Sequence, residues 1–205
     1  MESEFVIETK ALVKSYGMHV ALDSIDLKIR RGATGLLGPN GAGKSTAIKL
    51  FLGLIKPTSG SAEVMGEKPY ESVEIRARLG YMPEHDCLPG AVAASEFLSH
   101  MAQVSGLPPS FARTRASDVL RHVGLHEERY RPINQYSTGM KQRVKLAQAL
   151  VHDPQMIFLD EPTSGLDPQT AQDIVSLVRQ LADDGRIVFI VTHDVTPSIM
   201  GLVDH

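Results

Sequence analysis

The sequence has almost no cysteine, no apolar run long enough to span a membrane and no excess of positive charge. Its single cysteine, Cys87, excludes a disulfide within the chain and favours a reducing compartment. Its longer apolar runs, such as 187–191, have the length of a buried strand and fall well short of the roughly 20 residues of a transmembrane helix. The formal net charge of −3 argues against a non-specific nucleic-acid binder.

The N-terminus also lacks the features of a secretory signal, because residues 1–4 contain neither a basic region nor an apolar one. We therefore expect a cytoplasmic protein, peripheral to the membrane if a partner holds it there. The 205 residues, 42% of them hydrophobic and 22% charged, are sufficient for one globular domain with a sizeable core. No internal repeat and no low-complexity tail divides the chain.

One segment fits the pattern G-x-x-x-x-G-K-[ST] at every fixed position; it runs Gly38, Pro39, Asn40, Gly41, Ala42, Gly43, Lys44, Ser45 and Thr46. It lies between a predicted strand, 33–37, and a predicted helix, 46–54, which is the context that a phosphate-binding loop requires. Lys44 is expected to reach the β- and γ-phosphates of a nucleoside triphosphate, and the Ser45 hydroxyl to hold Mg²⁺. The alternative, a glycine-rich turn followed by a chance Lys-Ser, does not require this strand and helix.

A second segment places two carboxylates after a buried strand. Four apolar residues, 156–159, are followed directly by Asp160 and Glu161. Ligands of parallel sheets bind at the carboxyl ends of the strands, so we expect Asp160 to reach Mg²⁺ directly or through water. Glu161 is expected to orient or deprotonate a water aimed at the γ-phosphorus. Without the phosphate loop, such a pair would be typical of a solvated strand end.

The remaining pattern predicts an α/β protein with a helical insertion. Predicted strands are 5–12, 22–29, 33–37, 61–65, 79–82, 156–159 and 187–192, and predicted helices are 46–54, 93–104, 111–123, 139–151, 168–181 and 195–202. Strand and helix alternation favours a mainly parallel sheet. The block of about 84–151 contains no strand pattern and predicts a helical subdomain, so the core comprises about 1–83 and 152–205.

Two further segments carry a family resemblance. Residues 136–143 (Tyr-Ser-Thr-Gly-Met-Lys-Gln-Arg) and 161–168 (Glu-Pro-Thr-Ser-Gly-Leu-Asp-Pro), with the loop at 38–46, resemble the ATP-binding cassette (ABC) ATPases over nearly the whole chain. The resemblance implies a P-loop NTPase fold: a RecA-like parallel-sheet core, an N-terminal antiparallel β subdomain and an inserted α-helical subdomain. It implies one ABC ATPase domain over 1–205, truncated at the C-terminus because family members usually continue further.

The same resemblance implies roles for individual residues. Tyr16 matches the aromatic residue that stacks on adenine, although it could also pack on its own hairpin. His193 matches the histidine that contacts the γ-phosphate, although a histidine after a strand is commonly a polar cap. The implied catalytic residues are Glu161, His193 and Lys44, and the implied metal ligands are Ser45, Asp160 and Glu84. The implied nucleotide-binding residues are Tyr16, Gly38 to Thr46, Glu84, Ser137, Thr138, Gly139 and Asp167.

The sequence departs from the usual family pattern in two places. The signature segment, usually Leu-Ser-Gly-Gly-Gln, differs at three of its five positions but keeps Ser137 and Gly139. These supply a hydroxyl and an unobstructed backbone N–H at a helix N-terminus, although Ser137 is also a good helix cap. Glu84 stands where the family usually has glutamine, and its carboxylate remains a hard metal ligand.

The resemblance implies an ATP-binding and ATP-hydrolysing subunit of an ABC transporter, with ATP and Mg²⁺ as cofactors. It implies a head-to-tail homodimer and a separate membrane permease, docked near the helical insertion and the loop at 85–88, and favours export. One alternative is a soluble ABC ATPase acting on ribosomes or DNA; the single cassette, the short insert without heptads and the acidic net charge disfavour it. Another, a small-molecule kinase, leaves 136–143 and 164–167 without a role.

Overall fold

The computed structural model describes residues 4–85, 87–193 and 197–201. The strands are β1 (Phe5–Tyr16), β2 (His19–Arg30), β3 (Ala33–Leu37), β4 (Ser59–Val64), β5 (Leu79–Met82), β6 (Met156–Asp160) and β7 (Ile187–Thr192). The helices are α1 (Lys44–Phe51), α2 (Val73–Arg76), α3 (Ala94–Val104), α4 (Pro109–His122), α5 (Thr138–Leu150), α6 (Pro168–Asp183) and α7 (Pro197–Met200). A 3₁₀ turn, Ile133–Gln135, precedes α5.

Four of the strands form a parallel sheet in the order β3-β7-β6-β5. Its two central strands are buried on both faces, and consecutive side chains enter different cores. In β6, Ile157 and Leu159 belong to one core, while Met156 and Phe158 belong to the other. A strand covered on both faces has no polar side, which explains why β6 and β7 are apolar without alternation.

The other three strands form an antiparallel sheet in the order β2-β1-β4. The hairpin of β1 and β2 is longer than predicted, since β1 continues to Tyr16 and β2 begins at His19. The prediction missed these added positions because they are half-buried or exposed and show no strong apolar alternation. Gly17 turns the hairpin with a positive φ of 60°, which favours glycine. The extension brings Tyr16 to the end of the hairpin.

Helix α1 packs between the two sheets, where three phenylalanines form a cluster. Phe51 of α1 lies 5.9 Å from Phe189 and 6.4 Å from Phe158, measured between ring centroids. Truncating a buried phenylalanine costs about 3–5 kcal/mol, so this cluster is a major contribution to stability. It also fixes the direction in which the N-terminus of α1 points.

Helices α3, α4 and α5 form the insertion, and the described residues within 84–151 contain no strand. The predicted α/β architecture with an antiparallel sheet and a helical insertion is therefore observed. The single-turn helix α2 was not predicted because four residues are too few for a periodic pattern. Helix α1 starts two residues earlier than predicted, at Lys44, and ends earlier, at Phe51. Its early end follows from Gly53, whose φ of 68° terminates the helix. In the predicted helix 195–202, residues 195, 196 and 202 lie outside the described part.

Candidate nucleotide site

A cavity of about 260 Å³ lies at the carboxyl ends of β3 and β6. It is lined by Tyr16, His19, Ala21, Asn40, Gly41, Gly43, Lys44, Ser45, Thr46, Glu84, Asp160 and Glu161. Four separate parts of the chain thus meet at the sheet edge where ligands of parallel sheets bind. A larger cavity of about 410 Å³ between β2 and β3 contains none of the predicted site residues, so chemistry rather than size identifies the candidate site.

The phosphate loop depends on glycine at its last position before α1. Gly43 has φ of 87°, and a Cβ there would lie 2.5 Å from the backbone oxygen of Ala21. A side chain at Gly43 is therefore opposed both by the backbone conformation and by β2. The loop leads directly into α1, whose first amide groups have no partner within the helix and are suited to bind an anion.

The Lys44 side chain lies over this loop, where backbone carbonyl oxygens of the loop hold its ammonium group. The Nζ atom donates hydrogen bonds to the oxygens of Gly38 at 2.6 Å and Pro39 at 2.9 Å. These two residues do not line the cavity, but they fix the position of the ammonium group that does. The arrangement places a positive charge beside the amides of the loop, as expected for a phosphate site.

Asp160 lies at the end of β6 and is only 4% exposed. Burial raises the pKa of its carboxyl group, and the charges of Glu84 and Glu161 raise it further. Nearby, burial and the charge of Asp160 raise the pKa of the Tyr81 hydroxyl strongly; that hydroxyl lies 3.4 Å from Asp160 Oδ2. Negative charge is thus concentrated at this end of the cavity, where a cation would relieve the repulsion.

The donor set fits Mg²⁺ bound together with a polyphosphate. Among the described residues, no group of three or more His, Cys, Asp or Glu side chains is arranged to hold a metal ion. Mg²⁺ is usually bound by only one or two carboxylates together with phosphate oxygens and water. Asp160, Glu84 and the Ser45 hydroxyl line the same cavity and provide that partial set.

Glu161 adopts an unusual backbone conformation and is almost completely buried. Its φ of 49° is in the left-handed region, which costs a residue with a side chain about 1–3 kcal/mol. One carboxylate oxygen accepts a hydrogen bond from the Thr192 hydroxyl at 2.8 Å, and the other accepts one from the His193 backbone N–H at 2.9 Å. The Nδ1 atom of His193 is 2.7 Å from that second oxygen. The adjacent ends of β6 and β7 therefore hold this carboxylate in place.

The signature residues lie outside this cavity, at the N-terminus of α5. The Ser137 hydroxyl accepts a hydrogen bond from the Met140 N–H at 3.2 Å and caps the helix. Ser137 and Thr138 are exposed, whereas Gly139 is buried against α6, where a Cβ would lie 2.5 Å from Thr170 Cγ2. The helix-cap alternative for Ser137 is thus observed, and its hydroxyl remains accessible.

Asp167 also lies outside the cavity and caps α6. One of its oxygens accepts hydrogen bonds from the N–H groups of Gln169 and Thr170, and the other accepts one from the Thr170 hydroxyl at 2.5 Å. These bonds to Thr170 hold the pKa of Asp167 below its usual range. The structure therefore shows a capping role for this residue, and the nucleotide contact remains a prediction.

Sequence reasoning did not identify His19, Tyr81 or Thr192. His19 pairs with Tyr16 across the hairpin, so both side chains leave the same face of the sheet and line the cavity. That pairing could have been found by assigning the strand register around Gly17. No local signal marks Tyr81 or Thr192, because each is defined by its contact with another strand.

Comparison with known proteins identifies the family. The family model described as ABC transporter matches residues 22–164. The chain is 37% identical to the bacitracin transport ATP-binding protein of Bacillus licheniformis, over 98% of this chain and 65% of that protein. It is 35% identical to the daunorubicin/doxorubicin resistance ATP-binding protein of Streptomyces peucetius, over 97% of this chain and 62% of that protein. The chain thus spans less than two thirds of the length of these relatives.

Two solved structures of ATP-binding cassette proteins are similar to this chain in fold. The cbiO1 protein from Clostridium perfringens, part of the ABC transporter complex cbiONQ, superimposes with a TM-score of 0.83 at 30% identity, covering 94% of this chain and 80% of that one. A dimeric ATP-binding cassette in a post-hydrolysis state, bound to ADP and Pi, gives a TM-score of 0.82 at 29% identity, covering 92% and 88%. The predicted fold class is confirmed, and the chain belongs to the ABC transporter family.

Proposed function

We propose that this chain is the ATP-binding and ATP-hydrolysing subunit of an ABC transporter and powers transport, in the direction of export, through a separate permease. The observation that carries the proposal is the convergence of the phosphate loop, Asp160 and Glu161 on one cavity at the carboxyl edge of the sheet. One relative is named for transport of bacitracin and the other for resistance to daunorubicin and doxorubicin; these names support transport, and resistance favours export. We assign the helical subdomain to about 84–151 and the core to the rest of 1–205.

Different residues of the cavity bind different parts of the nucleotide. The amides of the phosphate loop and Lys44 bind the phosphates, while Tyr16, which lines the same cavity, stacks on the adenine ring. Ser45, Asp160 and Glu84 would hold Mg²⁺, which would supply positive charge to offset that of the bound polyphosphate. Glu161 acts as the general base or orients the attacking water, and His193 contacts the γ-phosphate.

Hydrolysis requires a second copy of the chain, because Ser137, Thr138 and Gly139 lie outside the cavity formed by their own chain. In a head-to-tail homodimer, each ATP lies between Lys44 of one copy and Ser137 of the other. Asp167 and the loop before it lie close to the same interface. The solved cassette described as dimeric and bound to ADP and Pi supports dimerisation.

A membrane partner is required to couple ATP hydrolysis to transport. In the described part of the chain, no helix combines the length and the apolar character needed to cross a membrane. We propose that the permease docks near α3 and the loop at 85–88, of which residue 86 lies outside the described part, and so holds this subunit at the cytoplasmic face of the membrane.

Two experiments test the proposal. Purified wild-type chain should hydrolyse MgATP, whereas Lys44→Ala should lose binding or turnover, since the ammonium beside the phosphates is removed. Normal turnover by Lys44→Ala would refute the assignment of the phosphate loop. Affinity purification from membranes should recover a polytopic permease; recovery of ribosomes or DNA instead would favour the soluble alternative.

A further inference from the structure

Lys145 is a buried cation in the middle of α5. It is 4% exposed, and its Nζ atom donates hydrogen bonds to the backbone oxygens of Pro83 at 3.0 Å and Glu84 at 2.8 Å. These acceptors lie 62 and 61 residues earlier in the chain, just after β5. Burying an ammonium group is costly unless it is well bonded, and an apolar residue of similar size is often at least as stable. A contribution to stability alone therefore does not explain this lysine.

The segment that Lys145 holds belongs to the candidate nucleotide site. The Glu84 side chain lines the cavity, and its charge raises the pKa of Asp160. Glu84 is exposed, so burial contributes little to holding its side chain in one place. The distance over which that side chain reaches toward Asp160 therefore depends on where its backbone lies, and Lys145 bonds that backbone.

We propose that Lys145 is a positioning residue for ATP hydrolysis, which fixes the Glu84 backbone against α5 and holds the Glu84 side chain at the phosphate end of the cavity. The proposal rests on the ATPase function proposed above. It also joins two parts of the site, since Ser137 lies at the N-terminus of the same helix, about 12 Å along its axis. Lys145 therefore connects the segment that carries Glu84 to the helix that begins at the signature segment.

The chain offers a matched control at the other end of α5. Arg115 donates hydrogen bonds to the backbone oxygens of Leu150 and Val151, both at 3.0 Å. It is likewise a cation that bonds two carbonyls and ties α5 to a neighbouring segment. Arg115 also pairs with Asp153 at 3.1 Å, but it lines no part of the nucleotide cavity, so removing it tests the structural contribution of such contacts away from the site.

The test compares Lys145→Met and Arg115→Met in the purified chain. We expect Lys145→Met to lower kcat by about tenfold or more with little change in KM, because small misplacements of a positioned group can cost about 100-fold. Arg115→Met should leave kcat unchanged and lower only the melting temperature. In a Glu84→Ala background, Lys145→Met should have little further effect on kcat, since both changes remove the same contribution.

A second readout is independent of turnover. Amide hydrogen exchange in the peptide 82–90, measured without nucleotide, should be faster in Lys145→Met and unchanged in Arg115→Met. If Lys145→Met does not fold, Lys145→Gln is measured against the same criteria.

Unchanged kcat and unchanged exchange, or an equal loss of kcat with and without Glu84, would overturn the positioning role. A wild-type chain without ATPase activity would instead refute the proposed function, and the exchange measurement would still decide whether Lys145 fixes this segment.

Discussion

The Glu161 carboxylate lies 2.7 Å from Nδ1 of His193 and also accepts a hydrogen bond from the backbone N–H of the same residue. The two residues directly follow the adjacent parallel strands β6 and β7, so the register of the sheet brings them together. The side chain of His193 is about half exposed, at 52%, while that of Glu161 is 7% exposed. The carboxylate is therefore fixed by the protein, and the imidazole is the more accessible partner.

Glu161→Gln should bind ATP normally but hydrolyse it very slowly. The amide keeps the size of the side chain; its oxygen can still accept the hydrogen bond from the His193 N–H and its NH2 group can donate to the Thr192 hydroxyl oxygen, but it cannot take a proton from water. Removal of a general base typically costs about 10²–10⁴-fold in kcat. Steady-state phosphate release, together with binding of a fluorescent ATP analogue, measures both properties. Wild-type turnover in this variant would exclude Glu161 as the base.

Asp160→Asn should increase the free energy of unfolding of the nucleotide-free protein, and the gain should grow as pH rises. Burial and the charges of Glu84 and Glu161 raise the pKa of Asp160 in the folded state, so its ionised form is less stable there than in the unfolded chain. The penalty is absent below the unfolded-state pKa and complete above the raised folded-state pKa.

Urea unfolding of wild type and Asp160→Asn across this pH range measures the difference. Asp183→Asn, at the exposed end of α6, removes the same charge away from the cavity and is measured alongside it. A difference for Asp160→Asn that is independent of pH, or that shrinks as pH rises, would contradict the charge repulsion described here.

Gly43→Ala should abolish nucleotide binding and destabilise the chain more than Gly185→Ala. Both glycines have φ of 87°, so both substitutions carry the same backbone penalty of about 1–2 kcal/mol. Only at Gly43 would the new Cβ meet another part of the chain, the Ala21 oxygen at 2.5 Å; at Gly185 nothing lies within 4 Å.

Thermal unfolding and nucleotide titration of the two variants separate the contributions of strain and contact. Equal destabilisation, with ATP binding intact in both, would show that the contact between the loop and β2 does not determine the shape of the site.

The parts of the structure that sequence predicted best are those with a local signal. Strands β6 and β7 are continuous apolar runs, and the phosphate loop has a fixed spacing of glycines before Lys44. The family resemblance then indicated Glu84, Ser137 and His193, which the structure places respectively in the cavity, at the N-terminus of α5 and beside Glu161.

The parts that sequence could not predict depend on contacts between distant segments. Glu161 has a positive φ because the end of β7 holds its carboxylate, and no local pattern encodes that contact. Lys145 has the spacing of an ordinary helix residue, and its bonds to Pro83 and Glu84 arise only when α5 packs beside β5. The dual positions of Ser137 and Asp167, as helix caps near a proposed interface, likewise require the folded chain.

The most direct test of a nucleotide site shared between two copies is sedimentation velocity of Glu161→Gln with MgATP. We expect a monomer without nucleotide and a dimer with MgATP. We expect Ser137→Arg in the same background to remain monomeric, because the larger charged side chain would fill the space in which the Ser137 hydroxyl contacts the nucleotide bound by the other copy. A Glu161→Gln protein that is saturated with MgATP and still sediments as a monomer would contradict the shared site.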